Sequence, residues 1–202
     1  MDDIIQTLTG RLMERLLIEV EASGRHVHLT REQAALLFGG DLTPERPLSQ
    51  PGQYLCRERV RLTGPGGSLD RVAVLGPARR EAQVEISLTD ARLLGLTPPV
   101  RLSGSIEGTP GIMLEGPCGN LRLERGVIVA QRHIHLPPEQ AALRGLKNGQ
   151  EVRLKVLSQR PAILLGVTVR VSADFAPRAH LDFDEANACG FRSGDLGLIL
   201  RE

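Results

Sequence analysis

Residues 25–29 read Arg-His-Val-His-Leu and residues 132–136 read Arg-His-Ile-His-Leu, and this repeated pentapeptide decides the fold. In both copies a Glu-Gln-Ala-Ala-Leu segment follows at the same spacing, over residues 32–36 and 139–143. The copies lie 107 residues apart, which is about half of the 202-residue chain. Self-similarity at this distance predicts two similar halves, related as a pseudo-twofold internal repeat.

A second, weaker repeat places turns between apolar strands. Residues 62–69 and 114–121 share the pattern Leu-x-Gly-Pro-x-Gly-x-Leu, which is typical of a β-hairpin. Alternating apolar residues predict further short strands between and after these hairpins. Short helices are predicted over residues 31–38, 89–94, 138–144 and 184–189. The predicted fold class is therefore mainly β with short α-helices, arranged as paired small β-barrels capped by helices.

Capping residues predict where two of these helices begin or end. We expect Thr30 to cap the first helix, with Gln33 reaching back in a capping box. We expect Thr89 to cap the second helix and Gly95 to end it.

Composition excludes several classes of function. Lys and Arg total 25 against 24 Asp and Glu, so the net charge of +1 argues against a nucleic-acid binder. No run approaches the ~20 apolar residues that a membrane span needs. Three widely spaced cysteines without a signal peptide indicate free thiols in a reducing compartment. We therefore expect a cytoplasmic protein that binds neither nucleic acid nor a membrane.

Residues 3–17 carry a long amphipathic helical pattern at the N-terminus. Its apolar residues recur at spacings of three and four: Ile4, Ile5, Leu8, Leu12, Leu16 and Leu17. Acidic Asp2 and Asp3 lie at its start, at the positive end of the helix dipole. The pattern predicts either a helix packed on the domain or a neighbouring subunit, or a docking helix for a larger assembly.

The two His-x-His pairs are candidate metal ligands. On a strand, residues i and i+2 point to the same face about 7 Å apart, so both rings of a pair can converge on one ion. A catalytic zinc site has three protein ligands, so each pair lacks one. His180 is the remaining histidine and would complete one site, while the other site would need a carboxylate.

Two alternatives compete with this interpretation. Histidine pairs on strands also occur as packing or hydrogen-bonding groups. Both copies also read His-x-His-x3-Glu, with Glu32 and Glu139, which resembles the start of a cupin metal motif. Both glutamates fall in the expected first turn of a helix, where acidic residues complement the dipole. A double-cupin oxidoreductase or isomerase is the second interpretation.

A further candidate segment runs from Val74 to Ser87. A Gly-Pro turn presents Arg79, and the following strand places Gln83, Glu85 and Ser87 on one face. An arginine fork suits a phosphate or carboxylate. A glutamate on a strand suits a hard or borderline metal.

Six motifs in this order resemble one family. They are Ser-Gly-Arg-His-Val-His-Leu (23–29), Gln-Pro-Gly-Gln (50–53), Leu-Gly-Pro-Ala-Arg (75–79), Gln-Val-Glu-Ile-Ser with Thr-Asp-Ala-Arg (83–87 and 89–92), Arg-His-Ile-His (132–135) and Asp-Glu-Ala-Asn-Ala (184–188). Together they resemble the PduL-type phosphotransacylases, the phosphate propanoyltransferases associated with bacterial microcompartments. The resemblance covers about residues 18 to 192.

The resemblance implies two interlocked β-barrels capped by short helices. The first barrel would be formed by residues 25–130, and the second by residues 18–24 together with 131–202. Residues 1–17 would form the separate N-terminal helix. The strand before His26 would complete the second barrel.

The resemblance also implies a site with two Zn²⁺ ions per subunit, between the barrels. The implied metal ligands are His26, His28 and Glu85 at the first ion and His133, His135 and His180 at the second. Arg79 would be the catalytic residue that contacts phosphate. Coenzyme A would lie near Glu21, Ala22, Ser23 and Asn187. Relatives often carry Lys and Arg near coenzyme A where this chain has Gly66 and Ala73.

The implied reaction converts acyl-CoA (propanoyl-CoA or acetyl-CoA) and phosphate into acyl phosphate and coenzyme A. The implied partners are these substrates, a second copy of the chain in a homo-oligomer, and microcompartment shell or lumen proteins through residues 1–17. The implied location is the cytoplasm or a microcompartment within it. A dinuclear zinc hydrolase and a non-catalytic shell component are the alternatives from other classes.

Overall fold

The computed structural model describes Gln6, Gly10 and residues 13–201. Strands hold 44% of the residues and helices 18%, so the predicted mainly β fold with short helices is confirmed. The strands, β1 to β15, span Leu17–Ser23, His26–His28, Pro44–Pro47, Tyr54–Gly64, Gly67–Gly76, Gln83–Ile86, Val100–Arg101, Ile112–Glu115, Asn120–Leu123, Val127–Ala130, His133–Leu136, Glu151–Leu157, Ala162–Val171, Arg178–Asp182 and Leu196–Leu200. The helices that follow β1, α1 to α4, span Arg31–Phe38, Leu88–Leu94, Pro138–Arg144 and Phe183–Ala188.

The chain divides into two compact units. The first unit holds Gly24–Gln131 together with Asp182–Asp184. The second unit holds the residues up to Ser23, Arg132–Leu181 and the residues from Glu185 onward. Each unit has its own apolar core.

The first unit is a curled sheet that forms half a barrel. Its strands follow the order β7-β10-β6-β2-β5-β4-β8-β9, and β3 pairs with β4. Both predicted hairpins are present, since β4 pairs with β5 and β8 pairs with β9 in antiparallel fashion. The first turn requires glycine at Gly64, because a Cβ there would lie 2.3 Å from the carbonyl oxygen of Leu94.

The second unit is a closed six-strand barrel in the order β1-β14-β11-β13-β12-β15. The first strand of the chain closes it, with Leu17 opposite Leu198 of β15. Ile18 and Val20 point from β1 into a core that includes Leu154, and all three side chains are buried. The implied role of the strand before His26 in completing this barrel is therefore confirmed.

Each His-x-His strand is followed directly by a short helix. Thr30 caps α1 in the predicted capping box with Gln33, whose backbone N–H donates to the threonine hydroxyl. Helix α3 begins after Pro137 and has no side-chain cap. Glu32 and Glu139 both lie in the first turn of their helices, as expected. Helices α1 and α3 have the predicted bounds.

The prediction for α2 was wrong at its start. The helix begins at Leu88, and Ser87 caps it instead of Thr89. Ser87 and Asp90 form a reciprocal capping box, in which the Asp90 backbone N–H donates to the Ser87 hydroxyl. Asp90 follows Ser87 by three residues and can complete a capping box, so Ser87 is preferred over Thr89 as the cap. Gly95 ends the helix in a left-handed conformation, as predicted.

Helix α4 begins at Phe183 and ends at Ala188, one residue earlier at each end than predicted.

The predicted N-terminal helix lies largely outside the described residues. Within it, Gln6, Gly10 and residues 13–16 are helical. Leu17, its predicted last residue, is the first residue of β1. Among the described residues, no helix has the length and apolar character that crossing a membrane would require.

The capping assignment at α2 predicts a difference between two neighbouring substitutions. Ser87→Ala removes the hydroxyl that receives the Asp90 N–H, so we expect it to lower the free energy of unfolding by about 1 kcal/mol. Thr89→Ala changes an exposed residue whose side chain does not cap the helix, and we expect a change within about 0.5 kcal/mol. Urea unfolding of both variants measures the difference. Equal losses would contradict the assignment.

Candidate functional site

The His-x-His pairs lie on β2 in the first unit and on β11 in the second. His26 and His28 have ring centroids 5.0 Å apart, and the rings of His133 and His135 are 4.5 Å apart. All four histidines are buried. Alternation along each strand therefore brings both rings of a pair to one face, as the sequence predicts.

A third donor completes each pair from the neighbouring antiparallel strand. In the first unit β6 runs antiparallel to β2, and Glu85 lies directly opposite His26. In the second unit β14 runs antiparallel to β11, and His180 lies directly opposite His133. Glu85 and His180 therefore occupy equivalent positions, each across from the first histidine of its pair. We call these two groups the first triad (His26, His28, Glu85) and the second triad (His133, His135, His180).

The donor atoms of each triad are spaced for one ion. Within each triad one ligand atom from every residue lies within 4.8 Å of the other two. His26 Nε2 is 3.6 Å from Glu85 Oε2, and His180 Nδ1 is 3.3 Å from His133 Nε2. Tetrahedral zinc with bonds of about 2.0–2.1 Å separates its ligand atoms by about 3.3–3.4 Å. These two pairs of donor atoms need little movement to reach this geometry. Neither Glu32 nor Glu139 belongs to a triad, which removes support for the cupin interpretation.

A hydrogen bond orients the ring of His26 toward the first triad, and a carboxylate lies near the ring of His180. His26 Nδ1 lies 2.8 Å from the carbonyl oxygen of Gly24, to which it can only donate, so the lone pair of this ring is on Nε2. His180 Nε2 lies 3.4 Å from Glu21 Oε2, on the side of the ring opposite to His133. His28 Nδ1 is buried and has no hydrogen-bond partner among the residues that the structure describes, which is costly for a polar atom unless a ligand binds it. The first triad therefore fits a metal ion of the borderline class that accepts both nitrogen and oxygen donors.

Charge within the first triad also favours a cation. Burial lowers the pKa of His28 well below its usual value, so this ring is neutral at pH 7. Burial would raise the pKa of Glu85, but the adjacent His26 holds it below its usual range. Burial would likewise lower the pKa of His26, yet the attraction of Glu85 raises it. A bound metal ion would replace the proton of His26 as the partner of the buried carboxylate.

Arg79 is linked to the first triad by a chain of hydrogen bonds. Its Nη1 donates to the hydroxyl of Ser103 at 3.2 Å, and Gln83 Nε2 donates to the same hydroxyl at 2.8 Å. Gln83 Nε2 also donates to Glu85 Oε1 at 2.5 Å, which leaves Glu85 Oε2 facing His26. The backbone N–H of Gly104 donates to Gln83 Oε1 and fixes the orientation of the amide. The guanidinium is therefore held near the first triad, where its charge also lowers the pKa of His28.

Each unit contains an equivalent ion pair that the sequence interpretation missed. Arg25 Nη1 lies 3.3 Å from Asp90 Oδ1, and Arg132 Nη1 lies 2.6 Å from Glu185 Oε1. Each arginine directly precedes a His-x-His pair. Each acidic residue follows the third donor of its triad by five residues, in the helix after that strand. The pairs thus connect the residue before each His-x-His strand to the helix that follows its partner strand, and the repeated Arg before His was the available signal.

The four residues that the resemblance implies near coenzyme A lie in one unit. Glu21, Ala22 and Ser23 are the last residues of β1, and Asn187 is exposed on α4, so all four lie in the second unit. Phe175, which no sequence motif indicates, stacks on the ring of His135 with centroids 3.9 Å apart.

Gly66 leaves no room for a side chain at its present backbone position. A Cβ at this turn would lie 2.8 Å from the backbone nitrogen of Gly95.

Known proteins match this chain over nearly its whole length. Residues 19–192 match the protein family described as Phosphate propanoyltransferase. A phosphate propanoyltransferase of Enterococcus faecalis is 47% identical over 205 residues, which covers 100% of this chain and 97% of the relative. One of Leptotrichia buccalis is 52% identical over 182 residues, covering 89% of this chain and 86% of the relative. One of Thermotoga maritima is 51% identical over 186 residues, covering 91% and 89%.

These matches extend across both triads, Arg79 and the ion-paired arginines, and they support the activity of a phosphotransacylase. The chain belongs to the phosphate propanoyltransferase family.

Proposed function

We propose that the protein transfers an acyl group between propanoyl-CoA and phosphate, with Zn²⁺ bound at each triad. The observation that carries this proposal is the placement of a tethered arginine beside a metal-ligand triad in a chain of this family. The acyl thioester and phosphate are converted into acyl phosphate and coenzyme A. Acetyl-CoA is the second candidate substrate, since one methylene changes binding by only about 0.8 kcal/mol.

Two zinc ions per chain are supported by the repeated triad. His26, His28 and Glu85 would hold one ion, and His133, His135 and His180 would hold the other. A bound zinc ion supplies Lewis acidity and a positive charge that anchors anions and neutralises charge in the transition state. The protein contributes the register that brings the three donors together and the hydrogen bonds that orient the rings.

Arg79 is the proposed phosphate-binding and catalytic residue. Its guanidinium is a planar fork that suits two phosphate oxygens, and Ser103 holds one of its nitrogens. Phosphate held there would direct a third oxygen at the thioester carbonyl. The new C–O bond forms, the C–S bond breaks, and coenzyme A leaves as a thiolate that takes up a proton. Positioning both reactants in one site replaces a bimolecular encounter.

The remaining contacts come from the family resemblance. Coenzyme A is proposed to lie near Ala22, Ser23 and Asn187, in addition to the acidic Glu21 that precedes them. The resemblance also suggests a homo-oligomer and a microcompartment in the cytoplasm as the setting. In that setting residues 1–17 would dock onto a shell or lumen protein. Within this segment Met13 and Leu16 lie three residues apart on helical backbone, and both side chains are exposed.

The first prediction concerns the requirement for phosphate and metal. We expect release of coenzyme A from propanoyl-CoA only when both phosphate and zinc are present, with acyl phosphate as the product. A thiol assay measures release, and trapping with hydroxylamine identifies acyl phosphate. Chelated protein and reactions without phosphate are the controls. Release without phosphate would indicate a zinc hydrolase, and no release from propanoyl- or acetyl-CoA would contradict the proposal.

The second prediction compares substitutions of Arg79 with a substitution of the adjacent, exposed Arg80. Arg79→Ala removes charge-assisted hydrogen bonds of about 1.5–3 kcal/mol each. Loss of two such bonds lowers kcat/KM for phosphate by at least about 100-fold. Arg79→Lys keeps the charge without the fork and should recover part of the loss. Arg80→Ala is the matched control and should leave kcat/KM unchanged. Zinc content should be the same in all variants, and equal activity of Arg79→Ala and Arg80→Ala would contradict the assignment.

The third prediction uses the equivalence of Glu85 and His180. Glu85→Ala should reduce the zinc content from two equivalents per chain to one. Glu85→His places an imidazole opposite His26, as His180 lies opposite His133, and should retain two equivalents. Elemental analysis after dialysis measures the content, and Glu81→Ala, an exposed glutamate on a surface ion pair, is the control. Two equivalents in Glu85→Ala, or one in Glu85→His, would overturn the equivalence.

A further inference from the structure

Glu21 lies beside His180 of the second triad. It lies on β1, which neighbours β14 in the closed barrel, and His180 lies on β14. Glu21 Oε2 is 3.4 Å from His180 Nε2. The side chain of His180 is only 12% exposed and that of Glu21 is 38% exposed, so water screens this contact only in part.

The ring of His180 is contacted at both of its nitrogens. Its Nδ1 lies 3.3 Å from His133 Nε2, within the triad, and its Nε2 points to the carboxylate. A carboxylate at Nε2 stabilises the tautomer that carries its proton there, which leaves the lone pair on Nδ1 for the ion. Metal-ligating histidines commonly have such an outer partner, which fixes the ring and makes it a stronger ligand.

We propose that Glu21 is a positioning residue that orients His180 as a metal ligand, an inference that rests on the proposed zinc site. The first triad has the same arrangement with a different group, since the Gly24 carbonyl receives the Nδ1–H of His26 at 2.8 Å. Both outer groups come from the residues just before His26, namely the end of β1 and its link to β2. This role differs from the coenzyme A contact that the family resemblance implies for Glu21.

Glu19 provides a matched control on the same strand. It lies two residues before Glu21, so both side chains leave the same face of β1. Glu19 Oε2 pairs with Arg178 Nη2 at 3.0 Å and reaches neither triad donor set. Glu19→Gln and Glu21→Gln therefore remove the same charge from the same strand, but only the second change removes a partner of a metal ligand.

The test is a zinc titration of the full chain against a chromophoric chelator, which does not depend on activity. We expect one of two zinc equivalents to bind at least about 10-fold more weakly in Glu21→Ala, with a smaller loss in Glu21→Gln, whose amide oxygen still accepts a hydrogen bond. The other equivalent should be unchanged. Glu19→Gln should titrate like the unsubstituted chain. Thermal unfolding of the zinc-free proteins should be the same for the Glu19 and Glu21 variants.

The outcomes separate this inference from the proposed function. If the unsubstituted chain binds two equivalents and Glu21→Ala titrates like Glu19→Gln, the positioning role is wrong while the zinc sites stand. A raised KM for acyl-CoA in Glu21→Ala with unchanged zinc affinity would likewise overturn it in favour of a coenzyme A contact. If the unsubstituted chain binds no zinc that depends on His180, as His180→Ala would reveal, the proposed second zinc site fails and this inference fails with it.

Discussion

The antiparallel register between a His-x-His strand and its neighbour is the constraint on which the rest of the site depends. In the first unit Val27 lies opposite Val84, and in the second unit Ile134 lies opposite Ala179. All four side chains are fully buried in apolar cores. Because side chains alternate along a strand, burial of these pairs on one face leaves the flanking histidines and the third donor on the other. A shift of one residue would exchange the two faces, so the cores hold each triad in place.

Much of this architecture could be predicted from the sequence because its signals are local. The two His-x-His strands, the hairpins and the bounds of α1 and α3 follow from alternation, turn residues and caps within short segments. Where two cap residues compete within three positions, as Ser87 and Thr89 do, the local signal is ambiguous. The reciprocal hydrogen bonds with Asp90 decide between them, and the Ser-x-x-Asp spacing of residues 87–90 was the available sequence signal.

The third donors could not be derived from spacing. Glu85 follows His26 by 59 residues, whereas His180 follows His133 by 47, because the intervening loops and strands differ in length between the halves. His180 was suggested by being the only remaining histidine, and Glu85 was assigned through the family resemblance. Their equivalence appears only when strand pairing is known. The contacts of Ser103 and Phe175 with the site residues are likewise set by tertiary structure.

Closure of the second barrel by β1 has a consequence for synthesis of the chain. Leu17 pairs with Leu198, so β1 must await a partner that is made 181 residues later. At 5–20 residues per second this interval lasts about 9–36 s. Meanwhile Gly24–Gln131, which make up nearly all of the first unit, are already complete. The apolar residues of β1 therefore stay without their β15 partner throughout this interval, and the barrel closes only once β15 has been made.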